Sequence, residues 1–158
     1  NIIGETLKEV IKAQKMTGPE SEADFGATMI VGGQINGIPP RLFLIYPEGN
    51  FIESSDETPF FQAGETKYGR PIILRAYDPN MSFEDAVKLL SVSFDSTLKA
   101  NLSVGMPLDL QVCEVDTCRV THRQRIEEND PYFTTVSRSW GDALKLAFQS
   151  LPDFSFRN

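Results

Sequence analysis

Two cysteines and one histidine are the side chains of this 158-residue chain that offer the most varied chemistry. A two-residue turn centred on Val115 and Asp116 would place Cys113 and Cys118 opposite each other across a hairpin, where they could be bridged. A turn one residue later would place them out of register. Their spacing is not that of a CxxC redox or zinc motif, and one His leaves a metal site without its usual ligands. We therefore predict no metal and no cofactor, and we interpret the cysteines as free thiols in a reducing compartment.

Two further side chains fit structural roles better than chemical ones. His122 stands between polar neighbours on a predicted strand, which is typical of a surface residue. Trp140 lies on a predicted helix, which is typical of a core or an interface residue.

The composition excludes several classes of partner. With 22 acidic against 15 basic residues, the net charge is −7, which repels a phosphate backbone, so we expect no nucleic-acid partner. No run approaches the roughly 18 apolar residues of a transmembrane helix, so we expect no membrane partner. Residues 1–5 lack the basic and apolar parts of a secretory signal, which favours the cytoplasm. The length and the hydrophobic content of 41% suit one domain over residues 1–158.

The elements that would position these residues are organised around a meander of three strands. The predicted strands are 27–35, 41–46 and a third from Phe51, separated by turn residues at 36–40 and 47–50. Gly32 and Gly33 inside the first strand indicate a bulge or a close approach by another backbone. We favour a bend of the sheet over a contact with a ligand.

Apolar side chains repeat at helical spacing in four other segments, and the clearest start signal is a capping-box variant at Ser82. The predicted helices are 5–16, 65–76, 82–99 and 134–151, the further strands are 60–64, 107–115 and 118–124, and 125–131 is a polar loop. Because hairpins join the strands, we predict an α+β fold of antiparallel sheets with helices packed outside them.

Short glycine-containing strings follow one another in a recognisable order. They are IVGG at 30–33, PRL at 40–42 with YPEG at 46–49, AGET at 63–66, and SVG at 103–105 running into LDL at 108–110. This order resembles the proteasome β-subunit family of N-terminal-nucleophile (Ntn) hydrolases. The longer strings at 64–69 and 94–105 resemble its bacterial Anbu branch, the ancestral β subunit.

The resemblance implies a four-layer αββα sandwich with antiparallel sheets, of which this chain would be the C-terminal portion without the N-terminal strands. In this family an N-terminal Thr, Ser or Cys attacks the scissile carbonyl, and its own α-amino group acts as general base. Residue 1 here is Asn, and the first predicted helix matches the second helix of the family. We therefore expect the nucleophile to lie outside this chain, which alone should not hydrolyse amide bonds.

The resemblance also implies four supporting site residues. Glu65 replaces the serine of a Gly-Ser-Gly corner, with Thr66 supplying a hydroxyl one position later. Asn101 replaces the Asp of an Asp-x-x-Ser-Gly turn, and Ser103 supplies the hydroxyl one residue early. A neutral Asn cannot hold an ammonium as a carboxylate does, so Glu65 either takes over that charge or marks a site of weak or altered activity. Ordinary helix caps and turns would use the same residue types.

Three functions compete at this point. The first is a proteasome-like hydrolase of peptide or protein substrates, the second a non-catalytic scaffold subunit that assembles with itself, and the third a ligand-binding or regulatory domain on an unrelated α+β fold. The family forms rings or helical arrays of like subunits, so we expect a homo-oligomer. The expected contacts are helices 5–16 and 82–99, the small polar flank of the latter (Ser91, Ser93, Ser96, Thr97), and the tail with Phe154 and Phe156.

Overall fold

The computed structural model of the chain describes residues 2–15 and 26–156, which form four helices and five strands. The helices are α1 (Ile2–Lys15), α2 (Arg70–Ala76), α3 (Phe83–Ala100) and α4 (Pro131–Gln149), and the strands are β1 (Met29–Gly33), β2 (Arg41–Ile45), β3 (Phe51–Glu53), β4 (Leu108–Val112) and β5 (His122–Ile126). These elements belong to two compact units. The first unit is the chain up to Thr66 together with Val112–His122, and the second is Lys67–Gln111 together with the chain from Arg123 onward.

The first unit contains the predicted meander, an antiparallel sheet in the order β1-β2-β3. The register between β1 and β2 is unbroken over all five residues of each strand, so the bulge predicted at Gly32 and Gly33 is wrong. A close contact explains the glycine at position 32, since a Cβ there would lie 2.9 Å from Leu42 Cδ1. The missing side chain makes room for a leucine on the neighbouring strand.

The connection between β2 and β3 is a tight turn that also contacts α1. The N–H of Gly49 donates to Tyr46 O at 2.8 Å, and the N–H of Tyr46 donates to Asn50 O at 2.9 Å. Gly49 has a φ of 78°, in the left-handed region that glycine adopts without a steric cost. A Cβ on Gly49 would lie 2.7 Å from Gly4 O, in the first turn of α1. The helix predicted at 5–16 is therefore present, begins earlier, and meets the turn through two glycines; Met16 lies outside the described residues.

Both faces of the three-stranded sheet are mainly apolar. From the strand register, one face presents Ile30, Leu42, Leu44 and Ile52. The other presents Met29, Val31, Phe43, Ile45 and Phe51, with the charged pair Arg41 and Glu53 at one end. The rings of Phe43 and Phe51 meet edge to face with centroids 5.8 Å apart. An antiparallel sheet with one solvated face alternates apolar and polar residues. This composition instead fits an inner layer of a sandwich.

The long helices of the second unit begin at side-chain caps. Ser82 Oγ accepts the N–H of Asp85 at 3.1 Å, which confirms the predicted start of α3. Asp130 Oδ1 accepts the N–H of Phe133 at 2.8 Å, and Pro131 occupies the first turn of α4. The predicted start of this helix at residue 134 is therefore wrong, because an Asp-Pro pair is itself a strong start signal.

The small polar flank of α3 is used inside the second unit. Ser93 and Thr97 are buried, and a Cβ on Gly69 would lie 3.0 Å from both Ser93 O and Thr97 Oγ1. Ser91 is buried as well, and its hydroxyl donates to Val87 O at 2.8 Å. The prediction that this flank contacts neighbouring subunits is wrong for these three residues, since Gly69 and the segment leading into α2 cover Ser93 and Thr97.

Other predicted boundaries also need correction. The described chain has no strand at 60–64, and the helix predicted from residue 65 begins at Arg70. The strands predicted at 107–115 and 118–124 are shortened to β4 and β5. Asp116 and Cys118 have φ values of 66° and 49°, which no strand residue adopts. Residues 113–121 therefore form a loop between the two strands.

Candidate functional site

Glu65 and Thr66 lie in the first unit, in the segment between β3 and α2. Both residues are half-buried. The residue before them, Gly64, has a φ of 82°, so the backbone enters this corner in a conformation that strongly favours glycine. The Gly-Glu-Thr corner is thus a sharp, glycine-dependent turn that leaves a carboxylate and a hydroxyl on adjacent residues.

Helix capping does not explain this pair. The N-cap of α2 is Gly69, no side chain caps the helix, and its first turn contains no acidic residue. The reading of Glu65 and Thr66 as a cap and a first-turn acid is therefore wrong. Glu65 thus brings a negative charge to the corner where the family resemblance expects a serine hydroxyl.

Asn101 and Ser103 lie in the second unit, directly after α3. Asn101 is the C-cap of the helix, and its N–H donates to Thr97 O at 2.9 Å. Asn101 Oδ1 accepts two hydrogen bonds from Ser103, from the N–H at 2.9 Å and from the hydroxyl at 2.7 Å. Here the ordinary turn reading is confirmed, because the amide oxygen organises the turn. The Ser103 oxygen retains lone pairs that can accept a further hydrogen bond.

The structure therefore brings together Asn101 and Ser103 through direct hydrogen bonds, while Glu65 and Thr66 are neighbours along the chain. The two pairs belong to different compact units. Each corner presents an oxygen acceptor of the kind that could stabilise an ammonium group, and only Glu65 brings a full negative charge. The two corners therefore differ in charge, and any function assigned to the chain has to account for a negative charge at Glu65 and a neutral amide at Asn101.

A side-chain interaction that the sequence did not predict connects two loops of the first unit. Gln34 Nε2 donates to Asp116 Oδ1 at 2.8 Å, and the N–H of Asp116 donates back to Gln34 Oε1 at 2.7 Å. Gln34 Nε2 also donates to Ile38 O at 3.0 Å. This amide thus ties the β1–β2 turn to the loop that contains both cysteines. Only the position of Gln34 directly after a glycine pair marked it in the sequence.

The predicted surface histidine and the predicted core tryptophan lie in different environments. His122 is exposed, with Nε2 3.4 Å from Glu114 Oε1, as expected of a surface residue. Trp140 is half-buried beside a cavity of about 510 Å³ in the second unit, whose apolar wall includes Ile72, Leu89 and Val92. The indole N–H is buried without a hydrogen-bond partner in the described structure.

An exposed ion pair joins β2 and β3 at one end of the meander. Arg41 donates to both carboxylate oxygens of Glu53 at 2.6 Å, and its guanidinium lies 4.8 Å from the Phe43 ring centroid. The hydrogen bond from Arg41 holds the pKa of Glu53 below its usual range, and the same bond raises the pKa of Arg41. The pair is solvent-exposed and shapes β2 and β3 without forming a site.

Two classes of site are absent from the part of the chain that the structure describes. No group of three or more His, Cys, Asp or Glu side chains is placed to hold a metal ion. Within the same residues, none of the helices combines the length and the apolar character needed to cross a membrane.

Comparison with known proteins identifies the class to which this fold belongs. The family described as "Proteasome subunit" matches residues 7–113. The chain therefore belongs to the proteasome subunit family, which confirms the resemblance read from the glycine-containing strings. No curated protein sequence matches the chain.

Within this family, the chain is similar to solved structures of Anbu. It is 42% identical to Anbu from Yersinia bercovieri with a TM-score of 0.89, over 98% of this chain and 64% of that one. It is 47% identical to the Anbu (Gly-1) mutant from Hyphomicrobium sp. strain MC1, with the same TM-score and coverage. The helical assembly of the Anbu complex from Pseudomonas aeruginosa gives 39% identity and a TM-score of 0.87, with the same coverage.

These similarities confirm the fold class predicted from the sequence, an α+β fold of the Ntn hydrolase type with antiparallel sheets. They also define how much of that fold the chain represents. It spans 64% of the length of the Yersinia, Hyphomicrobium (Gly-1) and Pseudomonas structures.

Proposed function

We propose that the full-length protein is a bacterial, proteasome-like Ntn hydrolase that cleaves peptide or other amide bonds. The observation that supports this most is the identity of 42% and 47% to two Anbu chains over 98% of the residues. At such identity the backbone and the arrangement of elements are shared, while the chemistry depends on particular side chains. The unrelated ligand-binding fold considered from the sequence is thereby excluded.

In this proposal the nucleophile belongs to the part of the family fold that these residues do not match. Residues 1–158 alone do not hydrolyse amide bonds, and they contribute supporting groups. Glu65 supplies the negative charge that stabilises the α-ammonium formed when the amine takes the proton of the nucleophile. Thr66 supplies a hydroxyl oxygen on the adjacent residue, and Ser103 supplies a hydroxyl oxygen in the turn after α3.

The proposal includes like subunits as partners, arranged in a ring or a helical array, and the cytoplasm as the location. Assembly is supported by the helical assembly described for the Pseudomonas aeruginosa Anbu complex. The substrate class is peptides or proteins, as the proteasome relationship implies. Sedimentation of the full-length protein tests the assembly, and a monomer at micromolar concentration would contradict it.

The activity is tested on the full-length protein with a peptide epoxyketone, which bonds to both the hydroxyl and the amine of an N-terminal nucleophile. We expect one label per subunit at an N-terminal Thr, Ser or Cys, located by mass spectrometry. Glu65→Gln should slow labelling about tenfold or more, since losing one pKa unit of charge stabilisation costs about 1.4 kcal/mol. The matched control is Glu57→Gln, at an exposed acid of the turn after β3.

Two results would count against this assignment. If the full-length protein has no N-terminal Thr, Ser or Cys and takes up no epoxyketone, it is not an Ntn hydrolase. If Glu65→Gln and Glu57→Gln both react as fast as the unchanged protein, the hydrolase assignment stands but the role of Glu65 is wrong.

One observation favours the alternative, a non-catalytic scaffold subunit. Asn101 is neutral where the family has a carboxylate, and its oxygen is already engaged by Ser103. The variant Asn101→Asp distinguishes the two functions, because a carboxylate accepts the same two hydrogen bonds and so preserves the turn. A scaffold would assemble and stay unlabelled both before and after this change. A hydrolase weakened by Asn101 would label faster as the aspartate variant.

A further inference from the structure

We propose that Cys113 and Cys118 are a redox-active thiol pair that forms a reversible disulfide across the turn Glu114–Thr117. These are both of the cysteines in the 158 residues, and they lie in the loop between β4 and β5. The segment 113–118 is called the cysteine loop below. The inference rests on the geometry of this loop and is independent of the hydrolase activity.

Backbone hydrogen bonds on either side of the cysteines draw the two halves of the loop together. Inside them, the N–H of Thr117 donates to Glu114 O at 3.3 Å. Outside them, the N–H of Thr121 donates to Val112 O at 2.8 Å. Cys113 lies between Val112 and Glu114, whose carbonyl groups both accept from the returning segment. The turn residues are Val115 and Asp116, which is the arrangement that places the cysteines on opposite sides.

Such an arrangement fits the reach of a disulfide. Residues that flank a tight turn have Cβ atoms about 4.5–5.5 Å apart when directly opposite, and a disulfide joins Cα atoms about 4.4–6.8 Å apart. The returning segment is irregular, because Cys118 has a φ of 49° and the next backbone hydrogen bond is made by Thr121. We place the movement that closure requires in this irregular segment.

Both thiols are exposed. Buried cysteines are inert, whereas an accessible thiol can meet a small disulfide in solution and then a second thiol nearby. The pair is therefore accessible to oxidation and to reduction. In a reducing compartment, disulfides between exposed cysteines of this kind are transient and sense the redox state.

Side chains outside the pair hold the cysteine loop in position. Gln34 accepts from the N–H of Asp116 at 2.7 Å and donates to its carboxylate at 2.8 Å. The Thr117 hydroxyl donates to Glu114 O at 2.7 Å. Asp116 has a φ of 66°, which Asp tolerates better than most residues. Gln34 is thus a positioning residue, because it fixes the turn that brings the two thiols together.

The oxidant in this reaction is a low-molecular-weight disulfide such as glutathione disulfide. One cysteine thiolate attacks it, forms a mixed disulfide and releases one glutathione thiolate. The thiolate of the other cysteine then attacks the protein sulfur of the mixed disulfide and releases the second glutathione. The two cysteine protons leave with the released thiolates, so two protein thiols are oxidised and one glutathione disulfide is reduced.

The test equilibrates the full-length protein with glutathione buffers of increasing oxidised fraction, followed by alkylation of free thiols. Lys99 and Arg119 are consecutive trypsin sites, so one tryptic peptide, 100–119, holds both cysteines. We expect this peptide to lose two hydrogen atoms and to resist alkylation. Cleavage after Glu114, between the cysteines, should then leave two fragments that separate only after reduction.

Accumulation of glutathione adducts, disulfide-linked dimers of the protein through these residues, or thiols that stay reduced throughout would each overturn the proposal. The single variants Cys113→Ser and Cys118→Ser should trap the mixed disulfide on the remaining cysteine. Failure of either cysteine to form an adduct would show that it is not accessible to the oxidant, and would overturn the proposal as well.

The role of Gln34 has its own readout. Gln34→Ala removes both bonds to Asp116 and the bond to Ile38 O. We expect the equilibrium constant for the intramolecular disulfide to fall about three- to tenfold, as for the loss of exposed hydrogen bonds that hold the turn. Gln149→Ala, at the exposed end of α4, is the matched control and should leave the constant unchanged. An unchanged constant in the Gln34 variant would refute its positioning role.

Discussion

Replacing Gly69 by alanine tests a close packing contact inside the second unit. A Cβ at this position would lie 3.0 Å from the backbone oxygen of Ser93 and 3.0 Å from Thr97 Oγ1, with Ser93 Oγ in contact as well. The Ser93 hydroxyl can rotate away. The other two oxygens cannot move independently, because Thr97 Oγ1 donates to Ser93 O at 3.0 Å. The methyl group therefore forces the segment before α2 away from α3.

The magnitude follows from three contributions. Overpacking of this kind costs about 1–3 kcal/mol. Alanine is a poorer N-cap than glycine by about 0.5 kcal/mol. Reduced freedom of the unfolded chain returns about 0.4–1 kcal/mol, and the φ of −89° is open to alanine, so no backbone strain is added. We expect the free energy of unfolding to fall by about 0.5–3 kcal/mol.

Urea unfolding of the full-length protein, followed by circular dichroism, measures this change, and Gly141→Ala is the matched control. Gly141 lies inside α4, and a Cβ there would meet nothing within 4 Å. The same substitution should therefore stabilise the protein by about 0.5–1 kcal/mol through helix propensity. Opposite signs for the two variants are the specific expectation. Equal stabilisation by both would show that the contact at Gly69 is loose and would refute the packing argument.

Two further predictions concern a helix cap and an ion pair. Asp130→Ala should lower the unfolding free energy by about 1 kcal/mol, because the N–H of Phe133 loses its capping acceptor. Asp130→Asn should retain most of the stability, because its amide oxygen can accept the same bond. Equal losses of stability for the two variants in urea unfolding would contradict this. The pKa of Glu53 is lowered by Arg41, so the contribution of the pair is complete above the usual glutamate pKa of about 4.3 and is lost as pH falls through the lower folded value. In low salt, the NMR titration midpoint of Glu53 should lie below that measured in Arg41→Gln, and coinciding midpoints would refute the pairing.

Features that depend on neighbours along the chain were predictable from the sequence. The cap at Ser82 was found because its acceptor and donor are three residues apart. The start of α4 at Asp130 and Pro131 was missed although it has the same local character, because the polar loop was extended through it. The meander was predicted because alternating apolar runs and turn residues specify strands locally.

Features that depend on distant residues were not predictable. Gln34 and Asp116 are 82 positions apart, and neither residue type indicates the other. Gly69 gave no signal of its own, since its requirement comes from Ser93 and Thr97 on another helix. The candidate site has the same property. Its residues were identified by a family resemblance, because a glutamate and an asparagine at two corners have no chemical pattern by themselves.

The two corners differ in how far ordinary structure accounts for their side chains. Asn101 caps α3 and accepts two bonds from Ser103, so any substitution that removes this acceptor acts first on the turn, and a loss of activity would not separate folding from chemistry. Glu65 does not cap α2, because the N-cap of that helix is Gly69. Exchanging its carboxylate for an amide keeps the shape and removes the charge. Comparison of Glu65→Gln with Glu57→Gln therefore separates the effect of a negative charge at this corner from the effect of net charge.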